Sequence, residues 1–186
     1  MVSVAPIPSL LEPGKVLKFD YRGAPQTVDV MRRAALEAQF SMPVREFCED
    51  VCQGIQSKDY LSEYLAIYHA VLQRCRYMRD PRTVELVRAP YIVAQELLHG
   101  RVPCVDCDDE AAFICACVLA VGGTPRITTV AFRDMFYEGQ RQYSHVFCEA
   151  FEPKRQQWIV LDPVAAERTK QMLKDVRAAK SWAVGK

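Results

Sequence analysis

The chain has 186 residues, of which 50 % are hydrophobic and 25 % charged. This length and apolar content suit one folded domain with its own core. The 24 basic and 23 acidic residues give a net charge of +1. There is thus no broad positive field to attract phosphate backbones, and we expect no nucleic-acid partner.

No stretch approaches the roughly 20 consecutive apolar residues that a membrane-spanning helix needs. The N-terminus also lacks a basic segment followed by an apolar run, so we expect a protein without a membrane span, located in the cytoplasm of the producing cell. Eight cysteines are present, and several lie in apolar patterns of a chain too large to depend on disulfides. We therefore expect mostly reduced thiols.

Residues 1–41 form a first segment without a long periodic pattern. They carry four prolines, and only residues 16–21 alternate between apolar and polar side chains. We predict an N-terminal arm over residues 1–41 with one or two short strands. The arm either packs a strand on the domain that follows, over residues 42–186, or binds a partner subunit.

The segment after this arm has a helical pattern. Apolar residues recur at spacings of three and four from Pro43 to about Gly54, and a proline suits a first helical turn. A longer apolar stripe predicts a second helix over about residues 57–77. Further helices are predicted over residues 91–98 and 106–121. The last has almost no polar face, so we expect it to be buried.

Beyond Pro125 the composition changes to β-branched and aromatic residues separated by polar turns. Three antiparallel strands are predicted, over residues 127–132, 144–151 and 158–161. A polar amphipathic pattern predicts a last helix over about residues 165–179. Helices followed by a strand meander indicate the α+β class, with N-terminal helices packed on a small antiparallel sheet.

Cys107 is singled out by its position at the start of the predicted buried helix. Asp106 suits the N-cap, and Asp109, three residues on, suits the partner position of a capping box. Cys107 would then be the first helical residue, where free backbone N–H groups and the helix dipole favour a thiolate. The charges of Asp106, Asp108 and Asp109 oppose that ionisation, so a neighbouring imidazolium is required.

Three histidines are available for that role. His69 and His99 fit ordinary helix positions, whereas His145 begins a predicted strand, where its ring can be held rigidly. Asp162 closes the next predicted strand, and antiparallel pairing could bring its carboxylate beside the His145 ring. A thiolate, an imidazole and an orienting carboxylate form a nucleophilic triad. The spacing alone is equally compatible with an unrelated histidine in one strand and an aspartate at the end of another.

Four segments, in this order, resemble the transglutaminase-like superfamily. They are Val-Asp-Cys-Asp-Asp-Glu-Ala at 105–111, Gly-Thr-Pro-Arg at 123–126, Ser-His-Val-Phe at 144–147 and Trp-Ile-Val-Leu-Asp-Pro at 158–163. Residues 76–81 also resemble the segment before the catalytic helix, and the resemblance covers about residues 44–163. It implies a papain-like fold with Cys107 as nucleophile, His145 as general base and Asp162 as the residue that orients His145.

Two positions depart from the pattern of this superfamily. A glycine often stands two residues before the cysteine, where this chain has Val105. A tryptophan often stands two residues after the histidine, where this chain has Phe147. Neither change removes a catalytic group, but both alter the walls of the cleft. The resemblance therefore does not indicate which substrate this chain uses.

The resemblance implies acyl transfer or amide hydrolysis through a Cys107 thioester, with a peptide, protein or peptidoglycan amide as substrate. Transfer to water would make the chain a peptidase or amidase, and transfer to an amine a crosslinking transglutaminase. We expect no cofactor and no metal. The segments around Cys107 and His145 are most similar to short transglutaminase-like proteins of tailed bacteriophages and prophages, which suggests a virion-associated protein.

The alternative is a structural or assembly module of a phage tail or baseplate. In that case the active site is vestigial or secondary, and the N-terminal arm binds phage structural proteins.

Cys104 and Cys107 also form a Cys-x-x-Cys pair, which is typical of half a zinc site or of a redox couple. No second such pair or paired histidine motif follows to complete a zinc site. A reversible disulfide between Cys104 and Cys107 stays open as a way to protect or regulate the nucleophile.

Overall fold

The computed structural model describes residues 17–19, 24–81, 85–164 and 173–185, which form a mixed α+β structure. Its α-helices in this part of the chain are α1 (Ala24–Ala38), α2 (Met42–Val51), α3 (Tyr60–Arg74), α4 (Pro90–Leu98) and α5 (Cys107–Ala120). Its strands are β1 (Leu17–Phe19), β2 (Arg76–Tyr77), β3 (Glu85–Val87), β4 (Cys104–Val105), β5 (Thr124–Ala131), β6 (Phe136–Tyr137), β7 (Gln140–Arg141), β8 (His145–Glu152), β9 (Gln157–Leu161) and β10 (Ala178–Ala183). A 3-10 turn at Leu173–Asp175 precedes β10.

Helix α5 is the centre of the fold. Every residue from 108 to 118 is buried, because the other four helices and strands β5 and β8 all pack on this helix. Phe113 of α5 lies against Phe47 of α2, with ring centroids 5.1 Å apart. The predicted buried helix over residues 106–121 is confirmed. It lacks a polar face because other elements of the fold enclose it on all sides.

A four-stranded antiparallel sheet in the order β10-β5-β8-β9 packs against α5. The three strands predicted over residues 127–132, 144–151 and 158–161 are confirmed as β5, β8 and β9. The predicted last helix is wrong where it overlaps β10, and its residues 165–172 lie outside the described residues. Alanine and lysine favour a helix there, but hydrogen bonding to the edge of β5 outweighs that local preference.

The predicted extended arm is wrong over the 15 residues of α1. Pro25 lies in the first turn of this helix, where a proline costs no hydrogen bond. Small buried residues such as Ala34, Ala35 and Ala38 line the face of α1 that packs on α5. Helix α1 therefore belongs to the core. Strand β1 lies in the segment predicted to contain short strands and pairs with β3, and residues 1–16 lie outside the described residues.

The short strands β2 and β4 connect the helices to the start of α5. Helix α3 ends at Arg74, earlier than predicted, and the chain then forms β2, which pairs in parallel with β4. In this register Tyr77 is the partner of Val105. Because β4 leads directly into α5, the pairing brings Tyr77 to the N-terminus of that helix.

None of the helices in the described segments combines the length and the apolar character needed to cross a bilayer.

Gly123 follows α5 and lies against Tyr64 of α3. A Cβ atom at Gly123 would overlap Tyr64 Oη and lie 2.8 Å from Tyr64 Cε1. Tyr64 is fully buried, and its hydroxyl donates a hydrogen bond to the Phe151 carbonyl at 3.1 Å, so the ring has little room to move. We predict that Gly123→Ala lowers the free energy of unfolding by about 1–3 kcal/mol, the usual cost of overpacking, as measured by urea denaturation.

The control is the same substitution in a Tyr64→Phe background. Because the overlapping oxygen is then absent, the loss caused by Gly123→Ala should be smaller there. An equal loss in both backgrounds would show that contact with the Tyr64 hydroxyl is not the cause.

Candidate active site

Cys107 is the first residue of α5, as predicted. Asp106 is the N-cap, and its Oδ1 accepts a hydrogen bond from the Asp109 backbone N–H at 3.4 Å. In a complete capping box the Asp109 side chain would also bond back to the backbone of Asp106. Here the Asp109 side chain makes a different contact. The Asp109 carboxylate accepts the backbone N–H of Arg88 at 2.7 Å and so ties the segment after β3 to the start of α5.

A cavity of about 670 Å³ opens beside Cys107, and His145 also lines it. Helix α1 supplies much of one wall, so part of the segment predicted as an arm is part of the site. The segment from Tyr77 to Pro81 supplies another part of the lining. The remaining lining side chains that concern the chemistry are Asp106, Asp108, Thr129, Tyr143 and Ser144.

His145 and Asp162 are in direct contact. His145 Nε2 lies 2.8 Å from Asp162 Oδ2, and both side chains are buried. The sheet register explains this contact. Leu161 is the partner of Cys148, so the next residue, Asp162, falls level with Phe147, two residues from His145 on the same face of β8.

The contact with Asp162 uses Nε2, so the other ring nitrogen, Nδ1, is the one available to exchange a proton with a thiol on the cavity wall. The structure therefore brings His145 and Asp162 together and places Cys107 on the cavity that His145 lines. His69 lies against the Tyr68 ring, and His99 contacts the Gln95 carbonyl at the end of α4. Neither of these two histidines lines the cavity.

The N-cap and the first turn of α5 together carry four buried acidic side chains. Oxygens of Asp106, Asp108 and Asp109 lie within 4.8 Å of one another. Burial, and then the charge of Asp106, raises the pKa of Asp109 to about 7. Burial, followed by the charge of Asp162, raises the pKa of Glu110 to about 8. At neutral pH Glu110 is mainly protonated and Asp109 partly so, so less negative charge opposes a Cys107 thiolate than the sequence indicates.

Tyr77 is a site residue that the sequence did not single out. Its side chain lines the cavity, and burial, followed by the nearby Cys107, raises the pKa of the Tyr77 phenol. Tyr77 and Cys107 therefore line the same cavity. The position of Tyr77 on this cavity depends on the parallel pairing of β2 with β4, and no periodic pattern in the sequence predicts that pairing. Residues 76–81 nevertheless belong to the segments that carry the family resemblance.

The eight cysteines all lie in the described residues and are not joined in disulfides. Burial raises the pKa of Cys52 and of Cys75 to about 12, which keeps both protonated and slow to react near neutral pH. Four more are enclosed in the core, namely Cys48, Cys115, Cys117 and Cys148. The remaining two cysteines, Cys104 and Cys107, are partly exposed.

Comparisons with protein-family models, with curated proteins and with solved structures find no match to this chain. An assignment to a family therefore depends on the four sequence segments and on the geometry of the site.

The raised pKa of Asp109 makes stability depend on pH. Its pKa is 3.8 as an ordinary carboxyl and about 7 in the folded protein. Between these values the folded state keeps a proton that the unfolded state has released, so this group's contribution to stability is present at low pH and is lost as pH rises toward about 7. Asp109→Asn cannot ionise but keeps an oxygen acceptor for the Arg88 N–H.

We predict that the urea midpoint of Asp109→Asn falls less than that of wild type as pH rises from about 4 to about 7. Asp175→Asn, at an exposed position, controls for the loss of one carboxyl group. If the urea midpoints of wild type and Asp109→Asn depend on pH in the same way, ionisation of buried Asp109 does not contribute to the pH dependence of stability.

Proposed function

We propose that this chain is a cysteine-dependent acyltransferase or amidase of the transglutaminase-like superfamily, with a papain-like core. The observation that carries the proposal is the buried His145–Asp162 hydrogen bond, 2.8 Å long, beside a cavity that Cys107 also lines. Two further features support it. A buried helix with cysteine as its first residue packs against an antiparallel sheet. The histidine begins one strand of that sheet, and the aspartate directly follows the neighbouring strand.

The first half-reaction forms a thioester. His145 Nδ1 takes the proton of the Cys107 thiol, and the thiolate attacks the carbonyl carbon of an amide. A C–S bond forms while the carbonyl electron pair moves onto oxygen. When this tetrahedral intermediate collapses, the C–N bond breaks and the leaving amine takes the proton from His145. Asp162 holds the imidazole through Nε2 and stabilises its protonated form.

The second half-reaction releases the acyl group. Water or an amine gives a proton to His145 and attacks the thioester carbon, and Cys107 leaves as a thiolate that regains the proton. Water yields a carboxylic acid, whereas an amine yields a new amide. The substrates that fit this chemistry are peptide, protein or peptidoglycan amides, and the resemblance to phage proteins suggests a virion-associated role.

We assign two donors to the oxyanion. The backbone N–H of Cys107 is at the N-terminus of α5, where the positive end of the helix dipole favours negative charge. The second group is the Tyr77 hydroxyl, because Tyr77 lines the same cavity as Cys107. A phenol can donate one hydrogen bond to a developing oxyanion.

The test of the proposal is selective reaction at Cys107. Incubation with p-nitrophenyl acetate near neutral pH should acylate this residue and release one equivalent of p-nitrophenol in a burst, with intact-protein and peptide mass spectrometry locating the acetyl group. Cys107→Ala should abolish the burst. His145→Ala should slow it by at least about 100-fold, because no base remains to take the thiol proton.

Cys104→Ala is the matched control, since it removes the neighbouring thiol of the same Cys-x-x-Cys pair. It should keep the burst. Acylation that moves to Cys104, or a burst that survives Cys107→Ala, would contradict the proposal and favour the structural or assembly role. Products from glutamine-containing peptides and peptidoglycan fragments, with and without a primary amine, then separate hydrolysis from crosslinking by mass.

Removal of the Tyr77 hydroxyl tests the oxyanion donor. We predict that Tyr77→Phe lowers kcat for p-nitrophenyl acetate by about 10²–10³-fold and leaves KM nearly unchanged, because the lost hydrogen bond is made in the transition state. Tyr137→Phe, in the exposed hairpin strand β6, is the control for removal of a phenol. A loss confined to KM would place Tyr77 in substrate binding instead.

A further inference from the structure

Two buried carboxyl groups, those of Asp162 and Glu110, each have an oxygen without a hydrogen-bond partner among the described residues. Asp162 binds His145 through Oδ2, and its Oδ1 is buried without a hydrogen-bond partner in the part of the chain that the structure describes. Glu110, in the first turn of α5, likewise has a buried Oε2 for which no partner is found among the described residues. Both side chains are only about one-twentieth exposed. Buried polar atoms are rarely left unsatisfied, so these two oxygens call for an explanation.

The groups that face Glu110 are acidic or neutral. The charge of Asp162 is, after burial, the largest influence that raises the pKa of Glu110 to about 8. The ionisable groups whose charges couple to Glu110 are Asp106 and Asp109 on α5, Asp162 after β9, and Tyr68 and Cys75 from α3 and its end. None of these groups is a cation, whereas Arg88 acts on Asp109 and His145 contacts Asp162. A proton on Glu110 adds to these two in limiting the negative charge of this enclosed region.

A protonated Glu110 and an ionised Asp162 complement each other. The protonated carboxyl has an O–H donor that needs an acceptor, and Asp162 Oδ1 is an acceptor that needs a donor. We propose that protonated Glu110 donates a hydrogen bond to Asp162 Oδ1, directly or through one bound water, and is thereby a positioning residue that holds Asp162 against His145. This inference rests on the proposed function for its effect on activity, and it adds a fourth residue to the proposed triad.

The arrangement predicts how activity depends on pH. Above about pH 8 Glu110 loses its proton. The donor to Asp162 disappears and two neighbouring buried anions repel each other. In wild type, kcat for p-nitrophenyl acetate should therefore decline with a midpoint near this pH. Glu110→Gln keeps an N–H donor and cannot ionise, so it should retain the activity seen at neutral pH and lose this decline.

Glu110→Ala removes the donor at every pH. Its kcat at neutral pH should fall by about 10- to 100-fold, the change expected when one hydrogen bond to a charged group is lost. Asp109→Asn, one residue earlier in the same turn, is the matched control: it should keep the decline, with a midpoint below that of wild type because the charge of Asp109 contributes to the raised pKa of Glu110. If Glu110→Ala does not fold, as judged by circular dichroism, the comparison of wild type with Glu110→Gln decides the question.

A second measurement is independent of activity. The chain has three histidines, so isotope labelling of histidine gives few ring signals, and His145→Gln assigns the signal of interest. In wild type the His145 ring shift should show an inflection near pH 8 that reports Glu110, and Glu110→Gln should abolish it. If the His145 signal shows this inflection but Cys107 is not acylated, the proposed function is contradicted while the proposed contact of Glu110 with Asp162 is supported. The contact is overturned if Glu110→Gln shows the same pH profile and the same ring titration as wild type.

Discussion

Burial of the first turn of α5 is the constraint on which the rest of the structure depends. A helix without a polar face has to be enclosed, and here four helices and two strands enclose it. The enclosure takes acidic side chains out of water together with the apolar ones, which is costly unless each gains a partner or a proton. Asp106 bonds to the helix backbone, Asp109 to Arg88, and Glu110 keeps a proton near neutral pH.

This arrangement changes how the acidic residues around Cys107 affect its chemistry. Taken as fully charged, they would oppose a thiolate strongly and leave the helix dipole and an imidazolium to overcome them. The raised pKa values of Asp109 and Glu110 remove part of that opposition near neutral pH. Burial thus weakens the charges that would disfavour the proposed nucleophile, and it does so beside the histidine and aspartate proposed to assist it.

The elements that could be predicted are those with a strong pattern of their own. Helix α5 has an N-cap residue and an unbroken apolar run, and strands β5, β8 and β9 are rich in β-branched and aromatic residues. The prolines of the N-terminal segment favour an extended arm over helix α1, although the buried residues of α1 recur at helical spacings. Strand β10 could not be predicted from local preference, because pairing with β5 makes it a strand.

The sequence by itself determined the α+β class, the central helix with Cys107 at its start, and the strand positions of His145 and Asp162. These follow from local chemistry, since capping, apolar periodicity and strand composition act over a few residues. Only the tertiary structure decided that β8 and β9 pair in the register that joins His145 to Asp162, that α1 forms a wall of the cavity, and that Tyr77 and Glu110 lie near the proposed catalytic groups. These placements depend on contacts between residues far apart in the chain, and burial, which sets the charge of Asp109 and Glu110, exists only once those contacts have formed.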